Sequence, residues 1–139
     1  MKNTVKITIE ATVNASTEKV WEIWTNTGHI TKWNTADPAW HSPGAEHDLV
    51  VGGAFNYRME AKDGSLGFDF SGTFTAIDPP GHLEYVLGDH REVRVDFLAD
   101  GDKTRIVQTF DAETENPVER QKEGWQAILN NFKAYTENN

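Results

Sequence analysis

Five histidines are the first residues in this chain that could do chemistry, because a neutral imidazole is the commonest protein ligand for transition metals. His29, His41, His47, His82 and His90 show no HxH, HxxxH or HExxH spacing, and no cysteine supports them. His41 and His47 share a segment with Asp37, Glu46 and Asp48, which reads as a polar surface loop and not as a metal site. Nucleophilic catalysis has no better footing. No serine lies in a GxSxG elbow, and there is no thiol. Gly52-Gly53 and Gly64-Ser65-Leu66-Gly67 have neither the pattern nor the context of a phosphate-binding loop.

Paired carboxylates come next. Asp69, Asp96, Glu60 and Glu84, with Arg58 and Arg94, each alternate with large apolar neighbours. If Phe68, Phe70, Val95 and Phe97 face inward, period-two alternation turns those charges to water, where cross-strand ion pairs contribute only tenths of a kcal/mol. A shift of one residue near Gly72 would exchange the faces. For an enzyme, Asp69, Asp96 or His41 would be the acid or base to find facing inward.

The polar atoms that the pattern sends inside are more informative. Gln108 shares a face with Thr104, Ile106 and Phe110, and Tyr57 and Tyr85 share faces with Phe55, Met59, Leu83 and Leu87. Gln121 lies on the apolar stripe of a helix. A buried amide or phenol left without a partner costs about 1–3 kcal/mol, so each must find one in the protein, in water or in a ligand. Set among aromatic walls, such groups describe a mostly apolar pocket with a few orienting contacts.

The elements that would position them follow from periodicity. Val5, Ile7, Ile9, Ala11 and Val13 alternate with polar residues, predicting a strand with one wet face. Ser16 is placed to cap a helix carrying Val20, Trp21, Ile23 and Trp24, which Gly28 is expected to end, and a short second helix is predicted around His29 to Trp33. Residues 34–47 lack periodicity and contain Asp37-Pro38 and Ser42-Pro43-Gly44, predicting a loop that carries Trp40. Asp48 to Gly53 reads as a short strand. Five further strands follow through Phe55, Phe70, Tyr85, Val95 and Gln108, separated by turns at Asp63-Gly64, Asp78-Pro79-Pro80-Gly81 and Asp100-Gly101. Hairpin-length turns require antiparallel neighbours. Asn116, Pro117 and Glu119 open a last helix whose stripe is Val118, Gln121, Trp125, Ile128, Leu129, Phe132 and Tyr135. Gly124 within it is explained by close approach to the sheet or by a ligand.

Composition limits what this architecture can be. At 139 residues the chain forms one domain, residues 1–139, able to bury roughly two-thirds of its surface without a disulfide or metal staple. A net charge of −9 with scattered Lys and Arg argues against nucleic-acid binding. No segment reaches the roughly 18 apolar residues of a membrane span, and the N-terminus lacks a signal-like stretch, so the cytoplasm is the expected location. Five Trp, seven Phe and three Tyr promise a bulky core or an aromatic-walled pocket.

The order strand, two helices, about six strands and a long helix resembles the START-like or SRPBCC superfamily, which has the helix-grip fold of the major birch-pollen allergen. Within it the chain is most similar to the family named after the C-terminal domain of the activator of the heat-shock-protein-90 ATPase. The features that carry the likeness are Val20-Trp21-Glu22-Ile23-Trp24-Thr25 with Trp33 after it, and Asp48 to Gly53 leading into Phe55. Gly72 before Ile77-Asp78-Pro79-Pro80, and Gly124-Trp125, complete them. The resemblance implies an α+β fold in which a curved antiparallel sheet of six or seven strands surrounds the C-terminal helix. It also implies a cavity between sheet and helix. The co-chaperone for which the family is named has another domain that contacts the chaperone. Nothing here is long enough to be that domain, so co-chaperone activity is not implied.

The expected function is therefore binding of a small hydrophobic or aromatic molecule, with no cofactor and no catalytic step. The expected lining is Trp24, Trp33, Phe55, Tyr57, Phe70, Phe74, Tyr85, Phe97, Gln108, Trp125, Leu129 and Phe132, with Gln121 orienting the ligand and Trp40 capping the mouth. A protein-interaction module, with a protein partner or a homodimer, and an SRPBCC-type enzyme acting on a bulky hydrophobic substrate are the alternatives.

Overall fold

The computed structural model describes residues 5–35 and 37–139; residues 1–4, where the N-terminus reads as lacking a signal-like stretch, and residue 36 lie outside the described part. Strand β1 (Lys6–Val13) buries Ile7, Ile9 and Val13 on one face as its alternation requires. Helix α1 (Thr17–Thr25) starts at Ser16, whose Oγ accepts the Lys19 N–H at 3.3 Å. The break after α1 falls at Asn26 and not at Gly28. The Asn26 amide oxygen accepts the Gly28 N–H at 2.8 Å, so Asn26 closes one helix and caps the next, α2 (Thr27–Trp33), which takes in Gly28.

Six further strands complete an antiparallel sheet: β2 (Trp40–His47), β3 (Ala54–Ala61), β4 (Gly67–Asp78), β5 (His82–Leu87), β6 (Glu92–Asp100) and β7 (Lys103–Asp111). Their order is β1-β7-β6-β5-β4-β3-β2. The sequence reading is corrected at β2. The predicted loop over residues 34–47 holds this strand, and the predicted strand at 48–53 is the tight turn joining it to β3. The reason is position. β2 is an edge strand with a register shift between His41 and Gly44, where Pro43 needs no ladder hydrogen bond. In the turn, Val50 and Val51 are exposed, and a Cβ on Gly53 would sit 2.0 Å from the Asp48 carbonyl oxygen. Gly72 is required in the same way, since a Cβ there would meet the Val86 carbonyl oxygen at 2.3 Å and the Phe55 ring at 2.9 Å. The Phe55 ring lies in the space that this glycine leaves on the neighbouring strand.

Helix α3 (Val118–Glu137) crosses the concave face of the sheet, where Trp125 stacks on Phe110 of β7 at 3.8 Å between ring centroids and meets Phe70 of β4 edge-on at 6.0 Å. Its first residue follows Pro117, which takes the cap position expected for Asn116. The helix has no side-chain cap. Gln121 stabilises its entry instead, donating through Nε2 to the carbonyls of Asn116 (2.8 Å) and Glu113 (3.1 Å) and accepting the Glu113 N–H at 2.8 Å. Gln121→Leu removes three hydrogen bonds to part-buried backbone groups and should cost about 1 kcal/mol. Thermal unfolding, with amide exchange at Glu113 as the local readout, measures it. Nothing lies within 4 Å of a Cβ built on Gly124, so close approach to the sheet does not explain this glycine. No helix among the described residues is long and apolar enough to cross a membrane.

The convex face carries the charges, as alternation requires. Arg58 pairs with Glu60 (2.8 Å) and Asp69 (3.5 Å), and Arg94 with Asp96 (3.0 Å). His82 bridges two carboxylates, with Nε2 at 2.6 Å from Glu84 and Nδ1 at 2.7 Å from Asp96. The bond to Glu84, with that to Asp96 and both negative charges, raises the His82 pKa above its ordinary 6.5 against partial desolvation. A raised folded-state pKa gives stability that is complete below the unfolded value and is lost as pH rises through the folded one. Asp96 is held below its ordinary value by His82 and Arg94 despite burial, so its share is lost at the acid end. The melting temperature should therefore fall as pH rises past the His82 pKa, by the equivalent of under about 1 kcal/mol for so accessible a pair. His82→Gln should flatten that slope.

Candidate ligand cavity

Between α3 and the sheet lies a cavity of about 240 Å³. Its floor is the inner face of the strands, with Phe55, Tyr57 and Met59 from β3, Phe68, Phe70 and Phe74 from β4, Leu83 and Tyr85 from β5 and Gln108 from β7. Trp125, Ile128 and Leu129 of α3 form the opposite wall, and Trp24, Thr25, Trp33 and Asn34 close the end near α1 and α2. The rings brace one another: Phe55 lies 5.0–5.2 Å from Tyr57, Tyr85 and Phe74, and Trp24 lies 4.9 Å from Trp33. Apolar walls held in fixed positions lower the ordering cost of binding.

Few polar groups face this space, and most are already directed by the protein. Burial pushes the Tyr85 phenol well above its ordinary pKa, against the opposing influence of the Gln108 side chain. Burial raises Tyr57 strongly as well. Its hydroxyl lies 2.7 Å from Nδ1 of His47, whose ring also meets the backbone carbonyl of Thr25. Desolvation lowers the His47 pKa below 6.5, outweighing the Thr25 carbonyl and the Asp48 charge. At neutral pH the two phenols and this imidazole are all uncharged.

A family model described as "Activator of Hsp90 ATPase homolog 1-like protein" matches residues 14–137. The chain belongs to this family. A solution structure of an AHSA1-like protein from Aeromonas hydrophila is 48% identical over 96% of this chain and 93% of its own, with a TM-score of 0.92. A protein from Cytophaga hutchinsonii is 53% identical, covering 96% of this chain and 92% of its own, at a TM-score of 0.83. A crystal structure from Nitrosomonas europaea, 17% identical over 96% and 95% of the two chains, shares the fold at a TM-score of 0.82. No curated protein matches the chain.

In this member of the activator-like family, Trp24, Trp33, Phe55, Tyr57, Phe70, Phe74, Tyr85, Gln108, Trp125 and Leu129, all on the expected list, line the cavity. Four expected residues do not. Phe97 and Phe132 lie behind the wall, packed on Trp24 at 5.4 and 4.8 Å. Gln121 is occupied at the helix entry, and Trp40 sits on the edge strand against Phe68 at 6.0 Å. Trp33 is 5% exposed, and its indole N–H donates to the Ile23 carbonyl at 3.0 Å. The expected lining left out Thr25, Asn34, His47, Leu49, Met59, Phe68, Leu83, Arg91 and Ile128. Met59, Phe68, Leu83 and Ile128 carried a signal, since periodicity sends them to the same faces as the residues that were chosen.

Asp69, Asp96 and His41, the inward acid or base that an enzyme would need, are absent from the lining. Asp69 and His41 are about half exposed on the outer surface. Among the described residues no group of three or more His, Asp or Glu could hold a metal ion.

Proposed function

We propose that this protein binds a compact, largely apolar molecule in the cavity between α3 and the sheet. One observation carries the reading: an aromatic-walled space of about 240 Å³ stays open although fifteen aromatic side chains could have filled it. Cores otherwise pack to crystal-like density, and an unfilled apolar void loses contacts on every side. The volume lies just below the roughly 300–1,000 Å³ usual for ligand pockets and suits a flat molecule of one or two rings. Apolar contact supplies the drive, at roughly 25 cal/mol per Å² buried. The Tyr57–His47 pair, which keeps a lone pair or proton beyond its internal bond, and the side chains of Tyr85 and Gln108 orient the ligand. No bond-making step is assigned.

Neutral 2-naphthamide tests the reading, because its two fused rings match the walls and its amide can reach the polar groups. Saturable one-to-one quenching of tryptophan fluorescence is the expected result. A titration that stays linear to the solubility limit would refute it.

A further inference from the structure

The lining has a charge asymmetry that the apolar reading alone does not use. Among the described residues Arg91 is the one formally charged group at the cavity, and no Asp or Glu lines it. This stands out in a chain of net charge −9, where most surfaces offer carboxylates. Arg91 sits between β5 and β6, in a turn tied by the Leu87 N–H to its own carbonyl at 2.8 Å. Its Nε donates to Asp89 at 2.7 Å, and its side chain is only 22% exposed. None of the hydrogen bonds found among the described residues uses its two terminal nitrogens. Glu113 also feels the guanidinium charge, but it turns its Oε1 to the Asn116 N–H at 2.7 Å.

We infer that the cavity selects ligands that carry a single anionic oxygen group, typically a carboxylate, held end-on by the Arg91 guanidinium while the rings lie among the aromatic walls. The inference rests on the cavity being a binding site and adds the charge of what it takes. Geometry supports the end-on mode. With Nε committed to Asp89, the edge formed by the two terminal nitrogens is left for a planar two-oxygen acceptor, the pairing for which a guanidinium is shaped. Fixing one side of the fork also holds the other in place, so little side-chain freedom is lost when an anion binds. The rest of the molecule repels anions, so any preference for one must come from this contact and must vanish with it. A cationic ligand would find no counter-charge on the walls.

An isosteric pair of probes reads this out. 2-Naphthoate and 2-naphthamide share a ring system and a planar head and differ in charge at neutral pH. Their dissociation constants are measured for the native chain, Arg91→Gln and Arg91→Lys, with melting temperatures recorded to verify folding. The native chain is expected to bind the naphthoate about tenfold more tightly. Arg91→Gln should bring the ratio close to one, and Arg91→Lys should keep part of the preference. A native ratio near one, a ratio that survives Arg91→Gln, or an equal loss for both probes would overturn the anion assignment and leave the cavity reading intact. Failure of the amide to bind the native chain would instead overturn the cavity reading itself.

Discussion

Phe132→Ala is expected to lower stability by about 3–5 kcal/mol. Its ring is fully buried on α3, with Trp24 and Trp33 at 4.8 and 4.9 Å. With the Tyr135–His29 and Asn131–Trp33 hydrogen bonds, it is one of the contacts by which the long helix grips α1 and α2. Removing it enlarges the empty space behind the cavity wall, and two indoles that brace each other cannot collapse into the gap without leaving Phe97 or the Ile23 carbonyl. For a domain of this size the melting temperature should fall by roughly 10–15 °C in calorimetry. A fall of only a few degrees would mean that α3 is held mainly by its contacts with β1 and β7. Tryptophan packing would then be incidental to the grip.

The second large effect concerns binding and leaves stability in place. Ile128 lies on α3 one helical turn after Trp125, half-buried and facing the cavity. Ile128→Trp adds an indole beside Trp125 and occupies the space assigned to ligand. The added contacts should hold or raise the melting temperature, because filling a void restores dispersion contacts that its lining lacks. Affinity for 2-naphthamide should drop by about a hundredfold or more in the same fluorescence titration. A variant that binds as the native chain does would place the probe elsewhere on the surface.

Most of this architecture was legible because period-two and period-3.6 patterns persist wherever one face is buried. Ile7, Ile9 and Val13 on β1, Val93, Val95 and Phe97 on β6, and Leu129 and Phe132 on α3 all face inward as read. The reading failed where burial stopped imposing a pattern. β2 is an edge strand with a bulge, so Ser42-Pro43-Gly44 can sit in it, and Val50 and Val51 looked like a strand although they are exposed in a turn. At the cavity, the face of each side chain was predictable, but its distance from the open space was not. Phe97 and Phe132 share faces with lining residues yet stand one layer back, a difference set by packing among Trp21, Trp24 and Trp33. Gln121 shows the same limit for polar groups: the helical stripe predicted its burial, and a loop five to eight residues earlier supplied its partners. Arg91 was invisible because a turn residue has no period.

Intermolecular nuclear Overhauser effects between 2-naphthamide and the protein test the occupied cavity most directly. Cross-peaks from the naphthalene protons to Phe55, Tyr57, Trp125 and Leu129 together are the predicted result, since only a molecule between α3 and the sheet can touch all four. Cross-peaks confined to exposed apolar side chains such as Val51, Leu66 or Val118 would contradict it.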